Sequence, residues 1–256
     1  MIATIEHPAG ELKIDLSNPI DLSIPIHSHG PRAWYAEPAI IKPVINRFFT
    51  GSVALGGKVN FNDVYFNPHA HGTHTETLGH IARELVSIEN TLTRFWWLAK
   101  LISFKPTIIV AEDNGMKPGD RVITLAQVRA AIGDDAPEAV IIRTLPNEDK
   151  KRHALYSNSN FTYMEPAAAE WLATHGVEHL LVDMPSIDRE EDEGKLLAHH
   201  AFWSYPKQPR MKATITEMIF ASDDTPDGKY LLNLQVSSFR NDAAPSRPVI
   251  YKLLAH

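Results

Sequence analysis

The sequence predicts an α/β fold, a single domain over residues 1–256 with a mixed, strand-rich core. Three observations carry this. A strand–helix–strand unit is readable between Ala139 and Asp183, alternating or apolar runs near both ends favour further strands, and no repeat, low-complexity block or linker divides the chain.

The elements follow in order. Leu12 to Leu16 and Ile20 to Ile26 read as short strands either side of Ser17-Asn18-Pro19. His27 to Pro43 holds three prolines with Trp34 and Tyr35, and reads as an ordered loop whose aromatic pair either covers a pocket or anchors to the core. Val53 to Phe66 is strand-like, with turns at Gly56-Gly57 and Asn62-Asp63. Ile81 to Trp97 is ambiguous between helix formers and strand-favouring aromatics. Leu98 to Phe104 and Thr107 to Ala111 look extended. A helix is expected over Leu125 to Ile132, with Thr124 as N-cap, Gln127 completing a capping box and Gly133 as the stop. Ala139 to Arg143 is an apolar strand, and the polar connection Arg143 to Asn160 reads as a surface excursion. Met164 to His175 is a helix with Pro166 in its first turn and Gly176 after it, and His179 to Asp183 is the next buried strand. Ala213 to Phe220, Tyr230 to Val236 and Pro248 to Leu253 are the closing strands.

Composition narrows the function. Lysine and arginine number 25 against 31 acids, a formal charge of −6, with no dense basic run, which argues against nucleic acid or an anionic membrane as partner. There is no cysteine, so thiolate chemistry and disulfides are excluded, in keeping with a cytoplasmic protein. No stretch has the ~18 uninterrupted apolar residues of a membrane span, and no signal-peptide pattern opens the chain.

The chemistry concentrates in NPHAHGTHTETLGH, Asn67 to His80. Four of the 13 histidines (His69, His71, His74, His80) lie there with Glu76, separated by small or turn-forming residues. Imidazole and carboxylate are the usual ligands of zinc and its neighbours. On an extended backbone His74 and Glu76 point to one side, as do His69 and His71, and Gly72 allows a bend between the pairs. His80 is either a further ligand or a proton carrier. Downstream candidates are His199, and Glu217, a carboxylate among Ile215, Met218 and Ile219. Asp183, in VDMPSID, caps a turn or serves the site at a strand's carboxyl end.

GTHTETLGH resembles the GTHxDxPxH signature of the cyclase, or kynurenine formamidase-like, family of metal-dependent hydrolases, which includes isatin hydrolases. DLSIPI at Asp21 to Ile26, VDMPSID at Val182 to Asp188, TITE at Thr214 to Glu217 and SRPV at Ser246 to Val249 resemble that family's strings in the same order. The resemblance implies a swivelling β/β/α fold, a homodimer or homotetramer, and hydrolysis of an amide, lactam or related bond in a small aromatic substrate. It implies one or two zinc or manganese ions held by His74, Glu76, His199, Glu217 and a further histidine, with His80 and Glu217 as catalytic groups. Three departures stand out: Glu76 replaces an aspartate, Leu78 a proline, and Ala70 occupies the position of the first histidine. His69 and His71 flank that position and compete for it, and the Asn67-Pro68 lead-in favours His69. Trp34, Tyr35 and Tyr65 are candidate walls of the substrate pocket. The alternative reading is a binding protein that keeps the fold and the metal without catalysis.

Overall fold

The computed structural model describes residues 1–133 and 136–254. Its centre is a nine-stranded sheet. In chain order the elements that matter here are β1 (Ile20–Asp21), β2 (His74–Thr77), β3 (Trp96–Phe104), α1 (Leu125–Ile132), β4 (Ala139–Thr144), α2 (Pro166–Thr174), β5 (His179–Val182), α3 (Leu197–Phe202), β6 (Thr214–Glu217), β7 (Gly228–Asn233), β8 (Ala243–Pro245) and β9 (Val249–Lys252). The spatial order is β8-β2-β6-β5-β4-β3-β7-β9-β1. The four central strands β6, β5, β4 and β3 run parallel, and antiparallel wings extend both edges.

Parallel strands need crossovers, and α1, α2 and α3 supply them on one face. Along β4 the side chains alternate: Val140 and Ile142 pack against helix residues such as Val128, Leu172 and Phe202, while Ala139 and Ile141 face a second core. That second core gathers Ala244 from β8 at one edge with Leu22, just past β1 at the other, so the sheet curls over on itself. The backbone of Leu22 to Ile24 bridges the gap, with Phe220 N–H donating to Leu22 O and Thr73 N–H to Ile24 O.

The expected helix at Leu125 carries both bonds of its Thr124–Gln127 capping box, and Pro166 opens α2. Other expectations change. Ile2–His7, outside the expected strands, pairs with Gly10–Asp15. Only Ile20–Asp21 of the second expected strand is paired, because the residues after it cross the open side of the curl. Within Val53 to Phe66 only Asn62–Tyr65 is strand, paired with Ile40–Pro43 in an exposed arm. The ambiguous stretch holds a short helix, Ile88–Thr91, and then β3. Among the described residues no helix is long and apolar enough to cross a membrane.

Candidate metal centre

The site lies where β2 meets β6. Antiparallel pairing sets Glu217, the last residue of β6, opposite His74, the first of β2. Alternation then puts His74 and Glu76 on the helix-bearing face, on which Ile215 packs into the core. Gly72 makes the approach possible. Its φ is +64°, and a Cβ there would stand 2.9 Å from Ile24 O, so no larger residue fits the bend. Beyond Glu217 the chain turns through Met218 at φ +52°, a conformation an L-residue seldom adopts. Bonds from Met218 N–H to Met184 O and from Thr73 Oγ1 to Met218 O hold that turn.

Three other elements complete the cluster. The turn at Pro68 to Ala70 projects His69, whose Nδ1 is 3.0 Å from Glu76 Oε2 and whose Nε2 is 2.8 Å from Asp242 Oδ2. Helix α3 brings His199, with Nε2 3.0 Å from Glu76 Oε1 and 3.8 Å from Glu217 Oε1. Asp188 orients that ring, its Oδ2 lying 2.6 Å from His199 Nδ1 and also accepting the His199 N–H. His80 stands just past β2, with Nδ1 3.8 Å from both Glu76 and Asp242 and its ring centroid 4.4 Å from that of His69.

Electrostatics follow from crowding. Burial pushes Glu76 up, but the charge of His80 and the bonds from His199 and His69 outweigh it and hold the carboxyl well below its usual range. Burial and the neighbouring Glu76 charge raise Glu217. Burial works against protonated His199 and His69, yet their carboxylate partners win: His199 rises well above its ordinary value and His69 to about 10.

The residues fit a divalent cation on two grounds. His74 Nε2 and Glu217 Oε1 are buried and lack a hydrogen-bond partner, although His74 Nε2 is 3.4 Å from Glu217 Oε2. Buried polar atoms of this kind ordinarily find a partner. Histidine nitrogens and carboxylate oxygens also converge in three overlapping sets: His69, His80 and Asp242; His69, His74 and Glu76; and Glu76, His80 and His199. Imidazole with carboxylate suits zinc, manganese and their neighbours.

His69, His74, Glu76, His80, His199 and Glu217 are therefore brought together. His71 is not: its Nε2 is 2.8 Å from Glu37 O and its Nδ1 accepts the Asn67 N–H, so it braces the loop. Asp183 is also structural. It accepts from the Thr144 N–H and hydroxyl and pairs with Lys151 at 2.7 Å. A cavity of about 310 Å³ opens on the centre, with Trp34, Asn67, Ser186 and Arg189 among its walls. Tyr35 and Tyr65 correct the expected aromatic wall. Tyr35 is exposed with its hydroxyl on Asn158, and Tyr65 lies on the arm under Lys42; neither lines the cavity. Asp242 had no signal in the sequence, since it reaches His69 only through the pairing of β8 with β2. A larger cavity of about 940 Å³ lies at the carboxyl ends of β4 and β5, and none of the clustered histidines lines it.

Fold and donor set define a curled α/β protein with an imidazole–carboxylate centre suited to a divalent metal. The chain belongs to the Cyclase family, whose model matches residues 14–189. It is 29% identical over 133 residues to kynurenine formamidase of Bordetella avium (strain 197N), a stretch covering 51% of this chain and 57% of that protein. The chain thus spans little more than half of that relative's length. Among solved structures, a "predicted metal-dependent hydrolase" from Bacillus stearothermophilus superposes with a TM-score of 0.62 at 19% identity, covering 91% of this chain and 98% of the other. Isatin hydrolase A from Labrenzia aggregata, bound to benzyl benzoate, gives a TM-score of 0.61 at 13% identity, covering 91% and 93%. At these identities the likeness is one of fold.

Proposed function

We propose that this chain is a metal-dependent hydrolase of an amide, lactam or related C–N bond in a small aromatic substrate. The observation that carries the reading is the convergence of buried His74, Glu76, His199 and Glu217 with part-buried His69, with His74 Nε2 and Glu217 Oε1 lacking hydrogen-bond partners. The 29% identity to a kynurenine formamidase supports the reaction class.

These five residues would hold one or two ions of zinc or manganese. A divalent cation supplies a Lewis acid for the substrate carbonyl and makes water nucleophilic near neutral pH. The protein supplies the rest. His80 stands at the cavity with Nδ1 3.8 Å from Asp242 and Glu76, and in its neutral form it would take a proton from the attacking water and return it to the departing nitrogen. Glu217 Oε1, which lacks a hydrogen-bond partner, faces the same cavity beside His80. Trp34 offers an apolar wall for the substrate ring.

The test is dialysed protein assayed with and without Zn²⁺ or Mn²⁺ on N-formylkynurenine, isatin and simple cyclic amides, with the metal counted by elemental analysis. Metal-stimulated turnover that H74A abolishes together with metal retention is the expected result. Tight ligand binding with no product would favour the non-catalytic binding protein instead. Assembly as a homodimer or homotetramer belongs to the same reading. The arm around Ile40–Pro43 and Asn62–Tyr65 exposes Ile41, Ile45, Phe48, Leu55 and Phe61, an apolar surface suited to a second copy.

A further inference from the structure

The larger cavity sits outside the carboxyl ends of β4 and β5, where open α/β sheets commonly bind ligands, and its volume of about 940 Å³ suits a small molecule. It is built in two tiers. Its floor is buried and largely apolar, with Tyr156, Phe161 and Met184. Its mouth is basic, carrying Arg121, Lys150 and His153.

One charged group of the wall stands apart. Of the acids in the wall, Asp183 is already satisfied by Thr144 and Lys151, and Glu148 pairs with Lys150. Arg121, by contrast, has no ion pair and no side-chain hydrogen bond among the described residues. It is fixed beside the floor all the same. Its strand pairs in parallel with Tyr163–Met164, register Val122 to Tyr163, so Arg121 stands next to the segment carrying Phe161. A guanidinium in the wall of a cavity whose floor is aromatic and thioether matches a flat ring bearing a carboxylate, which arginine binds through two parallel N–H bonds. We propose that this cavity is a second binding site, distinct from the metal centre, for a small aromatic carboxylate whose ring lies against Tyr156, Phe161 and Met184 and whose carboxylate meets Arg121. The two cavities share a wall: Phe161 meets Trp34 edge-on, with ring centroids 6.1 Å apart, and Met184-Pro185 leads directly into Ser186 of the metal cavity.

The test uses 4-bromobenzoate on the metal-loaded full chain, located by bromine anomalous scattering and titrated by calorimetry. Bromine in the cavity against Tyr156, Phe161 and Met184 is expected. R121Q should weaken binding about tenfold or more, as loss of a charge-assisted bond requires, and R121K should recover part of the loss. Uncharged 4-bromobenzamide should bind about tenfold more weakly than the acid on the same ground, and H74A should bind the acid as wild type does. Bromine found only beside His74 and Glu76, no site at saturating ligand, or equal affinity of R121Q and wild type would each overturn the proposal. The readouts need no turnover, so failure of the hydrolase reading leaves this test intact.

Discussion

His69 and His71 are separated by one residue, yet one faces the carboxylates of the proposed metal centre and the other a loop carbonyl, and paired alanine variants can separate the two. His71 is 6% exposed, with Nε2 2.8 Å from Glu37 O and Nδ1 accepting the Asn67 N–H. H71A deletes the part-buried bonds to Glu37 O and the Asn67 N–H, at about 0.5–1.5 kcal/mol, and leaves the space of a buried ring. Together these cost about 2–4 kcal/mol. For a chain of this size each kcal/mol moves the melting midpoint by about 2–4 °C, so H71A should melt about 5–15 °C lower while keeping its metal. His69 is partly exposed and faces Glu76 and Asp242, so H69A should melt closer to wild type yet hold metal at least about 100-fold more weakly, beyond the cost of losing an outer partner. The assays are thermal melts and metal content by elemental analysis, at a temperature where both variants are folded. If H71A loses the metal and H69A keeps it, the assignment from geometry is wrong.

Asp188 holds the His199 ring from behind, so D188N should lower metal affinity about 10–100-fold while leaving the fold intact; a chelator competition reads this, and unchanged affinity would count against His199 as a ligand. His179 is an acid-stability probe. Burial, aided by the nearby Arg94 charge, lowers it from 6.5 to about 3, so between those values the unfolded chain binds a proton that the native state does not. Stability should therefore fall with falling pH, by about 2 kcal/mol between pH 8 and pH 5 for this group. Urea melts at the two pH values should show that loss in wild type, and H179Q should lack this part of it; an identical pH slope in H179Q would refute the attribution. On the arm, serine at both Phe48 and Phe61 should shift the proposed dimer or tetramer toward monomer in sedimentation velocity, and a monomeric wild type or an unchanged assembly would refute the arm as the subunit contact.

What could be read from the sequence was what depends on near neighbours. The two-residue spacing of His74 and Glu76 gives a shared face in any strand, and Thr124 with Gln127 closes a capping box in any helix. Glu217 stood out because its flanking residues are apolar. What could not be read depends on where distant segments meet. Asp242 lies 173 positions from His69 and arrives through an edge strand only three residues long. The helix bearing His199 has six residues, too few for a periodic signal. Trp34 and Tyr35 are adjacent, yet one lines the metal cavity and the other faces solvent. Spacing predicts a direction only on a regular element, and the loop His27 to Pro43 is largely irregular.

Glu76 shows how a departure in sequence can be absorbed by geometry. An aspartate at this position would be one methylene shorter, and its carboxylate would sit closer to the backbone of β2. The glutamate instead reaches between two elements, with Oε1 toward His199 on α3 and Oε2 toward His69 on the Pro68 turn, both at 3.0 Å. The displaced histidine and the longer acid thus belong together. His69 approaches from a tight turn, closed by the Ala70 N–H on Asn67 O, rather than from an extended strand, and the extra methylene carries the carboxylate out to meet it. On that reading a chain with Ala70 at the position of the motif's first histidine can still gather a donor set facing the cavity. The compensation also makes the pair, rather than either residue, the unit on which metal retention should depend.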